Sequence, residues 1–160
     1  MVSKSNESTL RRAALDYLAR REYSFYELKQ KLYSKFPTFD VELIHHVIAA
    51  LRAENLQSDE RFEESYSRYR KSRGFGYNHI RNSLCQKKIE HHKIDQYLVV
   101  DDPEWVEIAV KLVKKKSAGR KYDNIDIFER SKITRFMEGR GSMPRQIQKA
   151  IKLTNNVHLE

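Results

Sequence analysis

Three kinds of residue in this chain could do chemistry: glycines beside cations, adjacent histidines, and basic residues interleaved with aromatics. The glycines sit in SRGFGYNHIRNSL, Ser72 to Leu84. A dinucleotide cradle needs G-x-G-x-x-G between a strand and a helix. Here Gly74 and Gly76 are followed by His79 at the third position, and the segment before them reads as a basic helix. No G-x-x-x-x-G-K-[ST] string exists. The expected role is punctuation, with Gly74 closing one helix in a left-handed conformation and Gly76 opening the next.

The histidine pairs His45-His46 and His91-His92 are poor chelates, because neighbours on a helix point about 100° apart. No further ligands stand at metal spacing around them, so neither a metal nor a cofactor is expected. Cys85 has no partnering motif and reads as a small hydrophobe. Asp59-Glu60, Glu63-Glu64 and Asp101-Asp102 read as helix N-terminal charge. With no nucleophile motif such as G-x-S-x-G, the chain reads as a binding protein with no catalytic residues.

The basic and aromatic clusters carry the functional expectation. SYSRYRKSRGFG interleaves Arg68, Arg70, Lys71 and Arg73 with Tyr66 and Tyr69. The tyrosines, three apart, are expected on the core side, with the arginines turned outward to meet phosphates or carboxylates. A second cluster joins Lys111, Lys114, Lys115, Lys116, Arg120 and Lys121. A third joins Arg130, Lys132, Arg135, Arg140 and Arg145.

The elements that must position these groups are helices. Leu10, Ala13, Ala14, Tyr17 and Leu18 follow helical spacing. Ser24 and Glu27 form a capping box, and Leu28, Leu32 and Tyr33 follow until Pro37. Asp40 caps a helix carrying Leu43, Val47, Ile48 and Leu51. Phe62, Tyr66 and Tyr69 stripe the next helix. Ile80 with Leu84 and Ile94 with Leu98 mark two more. Pro103 opens a helix with Trp105, Ile108, Ala109 and Leu112. KKKSAGRK reads as a basic loop, and Ile133, Phe136 and Met137, then Ile147 and Ile151, mark the last two helices.

These positions repeat. Leu28/Leu32, Ile80/Leu84 and Ile133/Met137 align, and Ile44/Ile48, Ile94/Leu98 and Ile147/Ile151 follow at nearly equal intervals. The fold expected is all-α, an elongated array of three tandem three-helix repeats spanning residues 8–59, 60–102 and 103–153, stacked because each alone buries a thin core. The third carries the inserted basic loop.

Length, charge and processing signals bound the class. The chain has 160 residues and a formal charge of +9. The excess is +1 over residues 1–59, +2 over 60–102 and +6 over 103–160, so the last third is the expected electrostatic contact. A polyanionic partner follows: nucleic acid, an acidic protein face or a membrane surface. No run is apolar enough to cross a membrane. The amino terminus lacks a signal-peptide core, and one cysteine excludes an internal disulfide. Leu159-Glu160 reads as a cloning remnant and is set aside.

At this point the residues resemble a family. Arg21, Glu22, Tyr23, Ser24, Glu27, Leu28, Lys31 and Leu32 match a helix of the form R-[RE]-[YH]-[ST]-x-x-E-L-x-x-K-L. Leu51, Leu56, Ser58, Asp59, Glu60, Arg61 and Phe62 match a second motif, with Glu63 where a small residue is usual. Gly74 and Gly76 match G-x-G-P, with Tyr77 for the proline. Lys132, Arg135, Phe136, Met137, Arg140 and Gly141 match a third motif, with Gly139 where an arginine is common and Ser142 for an aromatic. Together, over residues 10–153, they look like RecX, the bacterial regulator of the RecA recombinase. The resemblance implies an all-helical, cytoplasmic, monomeric modulator of recombination. It would bind the RecA filament on single-stranded DNA and inhibit ATP hydrolysis, filament extension and strand exchange. The expected contacts are the basic residues above; direct DNA binding that competes for nucleic acid is the alternative. An enzyme acting on nucleic acid has only charge and scattered carboxylates in its favour.

Overall fold

The computed structural model describes residues 2–156, with side chains from Lys4 onward; Leu159 and Glu160 lie outside the described residues. Among the described residues there are nine α-helices and one 3₁₀ turn, and no strand. The helices are α1 (Val2–Arg20), α2 (Phe25–Lys35), α3 (Val41–Ala53), α4 (Asp59–Ser72), α5 (Tyr77–Gln86), α6 (His91–Tyr97), α7 (Glu104–Lys116), α8 (Ile127–Gly139) and α9 (Pro144–Asn156). None is long and apolar enough to cross a membrane.

The chain forms two compact units. One runs to Tyr66 and takes in Leu84–Lys93; the other holds Ser67–Ser83 and the chain from Ile94 onward. In the first, Leu10, Ala13 and Ala14 of α1 pack with Leu28 and Leu32 of α2 and Ile44, Val47, Ile48 and Leu51 of α3. The caps form as the residue types dictate. Ser24 Oγ accepts from the Glu27 amide at 3.1 Å, and Asp40 Oδ1 accepts from the Glu42 amide at 3.2 Å. The start of α4 is tied in by polar side chains. Asp59 Oδ1 accepts from the Phe25 amide (2.9 Å) and from Gln57 Nε2 (3.0 Å), while its Oδ2 pairs with Arg52 at 2.9 Å. Gln57 also donates to the Tyr23 carbonyl at 3.2 Å. Arg61 pairs with Glu22 at 2.9 Å and donates to Asn55 Oδ1 at 2.9 Å. Asp59 and Arg61 of the string Ser58 to Phe62 therefore tie the start of α4 to the chain around α2 and α3.

In the second unit Ala109, Leu112 and Val113 of α7 pack with Ile133 and Met137 of α8 and Ile147 and Ala150 of α9. Tyr122 and Ile125, around the 3₁₀ turn Tyr122–Asn124, join the same core. The Tyr122 amide donates to Asn155 Oδ1 at 2.9 Å, anchoring that turn to α9.

The apolar grid read from the sequence is buried at eleven of its twelve positions, with Ile151 half-buried. Two expectations need correction. Tyr69 is 58% exposed, because the inward face of α4 runs through Phe62, Glu63 and Ser67, and Ser67 is fully buried. Lys114, Lys115 and Lys116 are the last turn of α7, where cations offset the carboxyl-end dipole, and the loop begins only at Ser117.

Candidate functional site

The second unit builds a cationic, aromatic-backed surface around Phe75. Its foundation is a close approach of two turns. Gly74 has φ +83° and ends α4, with the Phe75 amide donating to the Arg70 carbonyl at 3.0 Å. Gly141, φ +89°, ends α8 in the same way, with the Ser142 amide donating to the Met137 carbonyl at 3.0 Å. The turns then bond to each other. The Gly76 amide donates to the Arg140 carbonyl at 2.7 Å, and the Asn78 amide to the Gly141 carbonyl at 3.0 Å. A β-carbon at Gly76 would lie 2.6 Å from the Gly141 carbonyl, and one at Gly141 would lie 2.4 Å from the His79 amide nitrogen. The glycines are thus more than helix punctuation: they let two backbones touch.

That contact brings side chains distant in sequence together. The Arg140 guanidinium lies 4.5 Å from the Phe75 ring centre and 5.2 Å from that of Phe136, and donates to the Arg73 carbonyl at 3.1 Å. Arg70 lies 5.0 Å from the Phe75 ring centre. Lys116 sits 4.0 Å from that of Phe136. His79 stacks on Phe75 at 4.1 Å. Burial, then the charges of Arg70 and Arg140, push its pKa down. Planar guanidinium groups held over rings are oriented in advance for bidentate acceptors such as phosphate or carboxylate.

The other candidate residues divide. Lys71 is half-buried, pairs with Glu104 at 2.6 Å and lies 4.5 Å from the Trp105 ring centre. Arg120 pairs with Glu129, and Arg145 with Asp101. Arg130 turns back to the Ile125 and Asp123 carbonyls, holding the 3₁₀ turn. Arg68 is exposed at the surface of α4. Arg73, Lys114, Lys115 and Arg135 are exposed and Lys121 half-exposed, all without an ion pair among the described residues. Phe75 and Phe136, which gather the arginines, were missed as site residues; the signal available was an aromatic beside each glycine-ended basic helix. No cluster of three or more His, Cys, Asp or Glu suited to a metal occurs among the described residues.

Fold and surface define a class: an all-helical protein with an arginine-rich surface organised on aromatic rings. Comparison with known proteins places it further. Residues 11–51 match the family model described as RecX, first three-helix domain. The chain is 37% identical over 129 residues to the regulatory protein RecX of Mannheimia succiniciproducens, covering 80% of this chain and 82% of that one. It is 37% identical over 132 residues to the regulatory protein RecX of Pseudomonas putida strain KT2440, covering 82% of each. The chain belongs to the RecX family of regulatory proteins. Its fold is similar to that in the crystal structure of RecX from Lactobacillus salivarius, with a TM-score of 0.78 at 24% identity, covering 95% of this chain and 98% of that one. A second RecX crystal structure matches with a TM-score of 0.73 over 92% of this chain and 72% of that one.

Proposed function

We propose that this chain is a cytoplasmic, non-enzymatic regulator that binds the RecA filament on single-stranded DNA and inhibits its ATPase, extension and strand exchange. The observation that carries the reading is RecX-family membership over four-fifths of the chain. The Arg70–Phe75–Arg140 cluster supports it, because oriented guanidinium groups suit a surface rich in phosphate and carboxylate. In this reading the protein acts as a monomer of three tandem three-helix repeats, 8–59, 60–102 and 103–153. Arg70, Arg73 and Arg140 form its central contact, with Lys114, Lys115, Lys116, Lys121 and Arg135 adding steering charge. Lys71, Arg120 and Arg145 serve chiefly to hold the surface in place.

The test is RecA's DNA-dependent ATPase with the chain added. Inhibition at or below one regulator per RecA protomer is expected, and Arg73→Ala with Arg140→Ala should weaken it about tenfold or more. Unchanged hydrolysis at stoichiometric regulator would overturn the reading. The +6 excess after residue 102 favours, second, direct competition for DNA. That mechanism predicts tight oligonucleotide binding without RecA.

A further inference from the structure

The second unit carries another surface, a groove between α7 and α9, lined on its floor by Val106, Val110 and Leu153 and along its edges by Lys111, Lys114 and Lys149. Val106 and Val110 are half-buried, while Leu153 is 44% exposed, a large apolar side chain of α9 left facing water. Val106, Val110 and Lys114 recur at intervals of four on α7, and Lys149 and Leu153 do so on α9, so each helix presents one continuous edge. None of the three lysines has an ion partner among the described residues. Among the described residues Glu107 is the one carboxylate lining the groove.

We infer that this groove docks an acidic amphipathic helix of a partner protein. The floor is apolar, and nucleic acid would leave it uncovered, since phosphates would meet the lysines while nothing buried Val106, Val110 and Leu153. A helix with apolar residues at i, i+3, i+4 and i+7 fills such a floor, and carboxylates flanking that stripe reach the lysines. Charge selects against a second copy of this chain, which carries +9. The inference does not depend on the RecA reading, because it rests on the groove alone.

The experiment uses the full chain and a fluorescein-labelled 16-residue peptide with leucine at helical spacing and glutamate between, read by anisotropy. Saturable binding is expected. Leu153→Asp, on an exposed position that folding does not need, should weaken it at least tenfold, as should Lys111→Glu with Lys114→Glu and Lys149→Glu. Lys31→Glu on α2 should leave it unchanged. Equal binding of a polyglutamate peptide without leucines would overturn the inference, leaving a general cation surface. So would displacement of the peptide by a single-stranded oligonucleotide that binds Leu153→Asp as tightly as the parent chain. A dimer in sedimentation that Leu153→Asp dissolves would overturn it in favour of self-association.

Discussion

Single residues in this chain are decided by what surrounds them, and two cases give opposite signs. Glu63 is 3% exposed, and its Oε1 has no hydrogen-bond partner among the described residues. Burial, then repulsion from Glu60, pushes its pKa up to about 7 from an ordinary 4.5. Glu60, bonded to Lys93 at 3.0 Å, is held down at about 2 and so stays charged. Between pH 4.5 and 7 the folded state therefore keeps a proton on Glu63 that the unfolded chain gives up, and stability falls as pH rises through that window. Glu63→Gln should match the parent at pH 4 and exceed it at pH 8 by on the order of 1–3 kcal/mol in urea unfolding. An advantage that is the same at both pH values would assign the effect to packing. The glycines give the second case. Gly76→Ala drives a methyl group into the Gly141 backbone 2.6 Å away and should cost on the order of 2–4 kcal/mol. Gly139→Ala, inside the last turn of α8 with nothing within 4 Å, should gain up to about 1 kcal/mol. Paired denaturation curves check both.

At the scale of elements, α4 depends on one carboxylate for its docking. Asp59 satisfies the free amide of Phe25 at the start of α2, holds Gln57 and pairs with Arg52. Asp59→Ala would strand a half-buried amide and a cation together and should cost about 3 kcal/mol. Asp59→Asn keeps an acceptor for one partner and should recover part of that loss; identical melting of the parent and Asp59→Ala would refute the role. This arrangement also shows what the sequence discloses. Helices α2, α3, α5 and α9 were readable because apolar residues at intervals of three and four can bury only one way, and Ser24 and Asp40 announce their caps locally. The turn at Tyr122 was not, since three residues carry no period and its anchor, Asn155, lies 33 residues away. Tyr69 misled because an aromatic at helical spacing resembles a core residue, while the inward position went to the small Ser67. The basic clusters were legible as composition, but their sorting was not. Arg120 and Arg130 find Glu129 and the Ile125 carbonyl close by along the chain, whereas Arg140 reaches the Phe75 ring only through a contact between turns far apart in sequence.

For the whole molecule, charge is the quantity that separates a filament contact from a DNA contact. The chain carries +9, and the Phe75 cluster concentrates cations held against rings, Arg140 over both Phe75 and Phe136. Contacts of this kind release counterions, so inhibition of RecA should weaken steeply between about 50 and 200 mM salt. Arg140→Ala removes one ring-held cation, and Arg73→Ala removes the exposed cation whose carbonyl Arg140 bonds. The double variant should start weaker, and its loss across that salt range should be smaller by roughly tenfold than the parent's. Half-inhibitory concentrations from the ATPase assay at the two salt levels measure this directly. Equal slopes for parent and variant would place the contact elsewhere on the molecule. Repeating the series with a labelled oligonucleotide and no RecA then separates the partners. If the two substitutions flatten the salt dependence of inhibition but leave oligonucleotide binding untouched, the cluster meets the recombinase; if both change together, it meets the DNA.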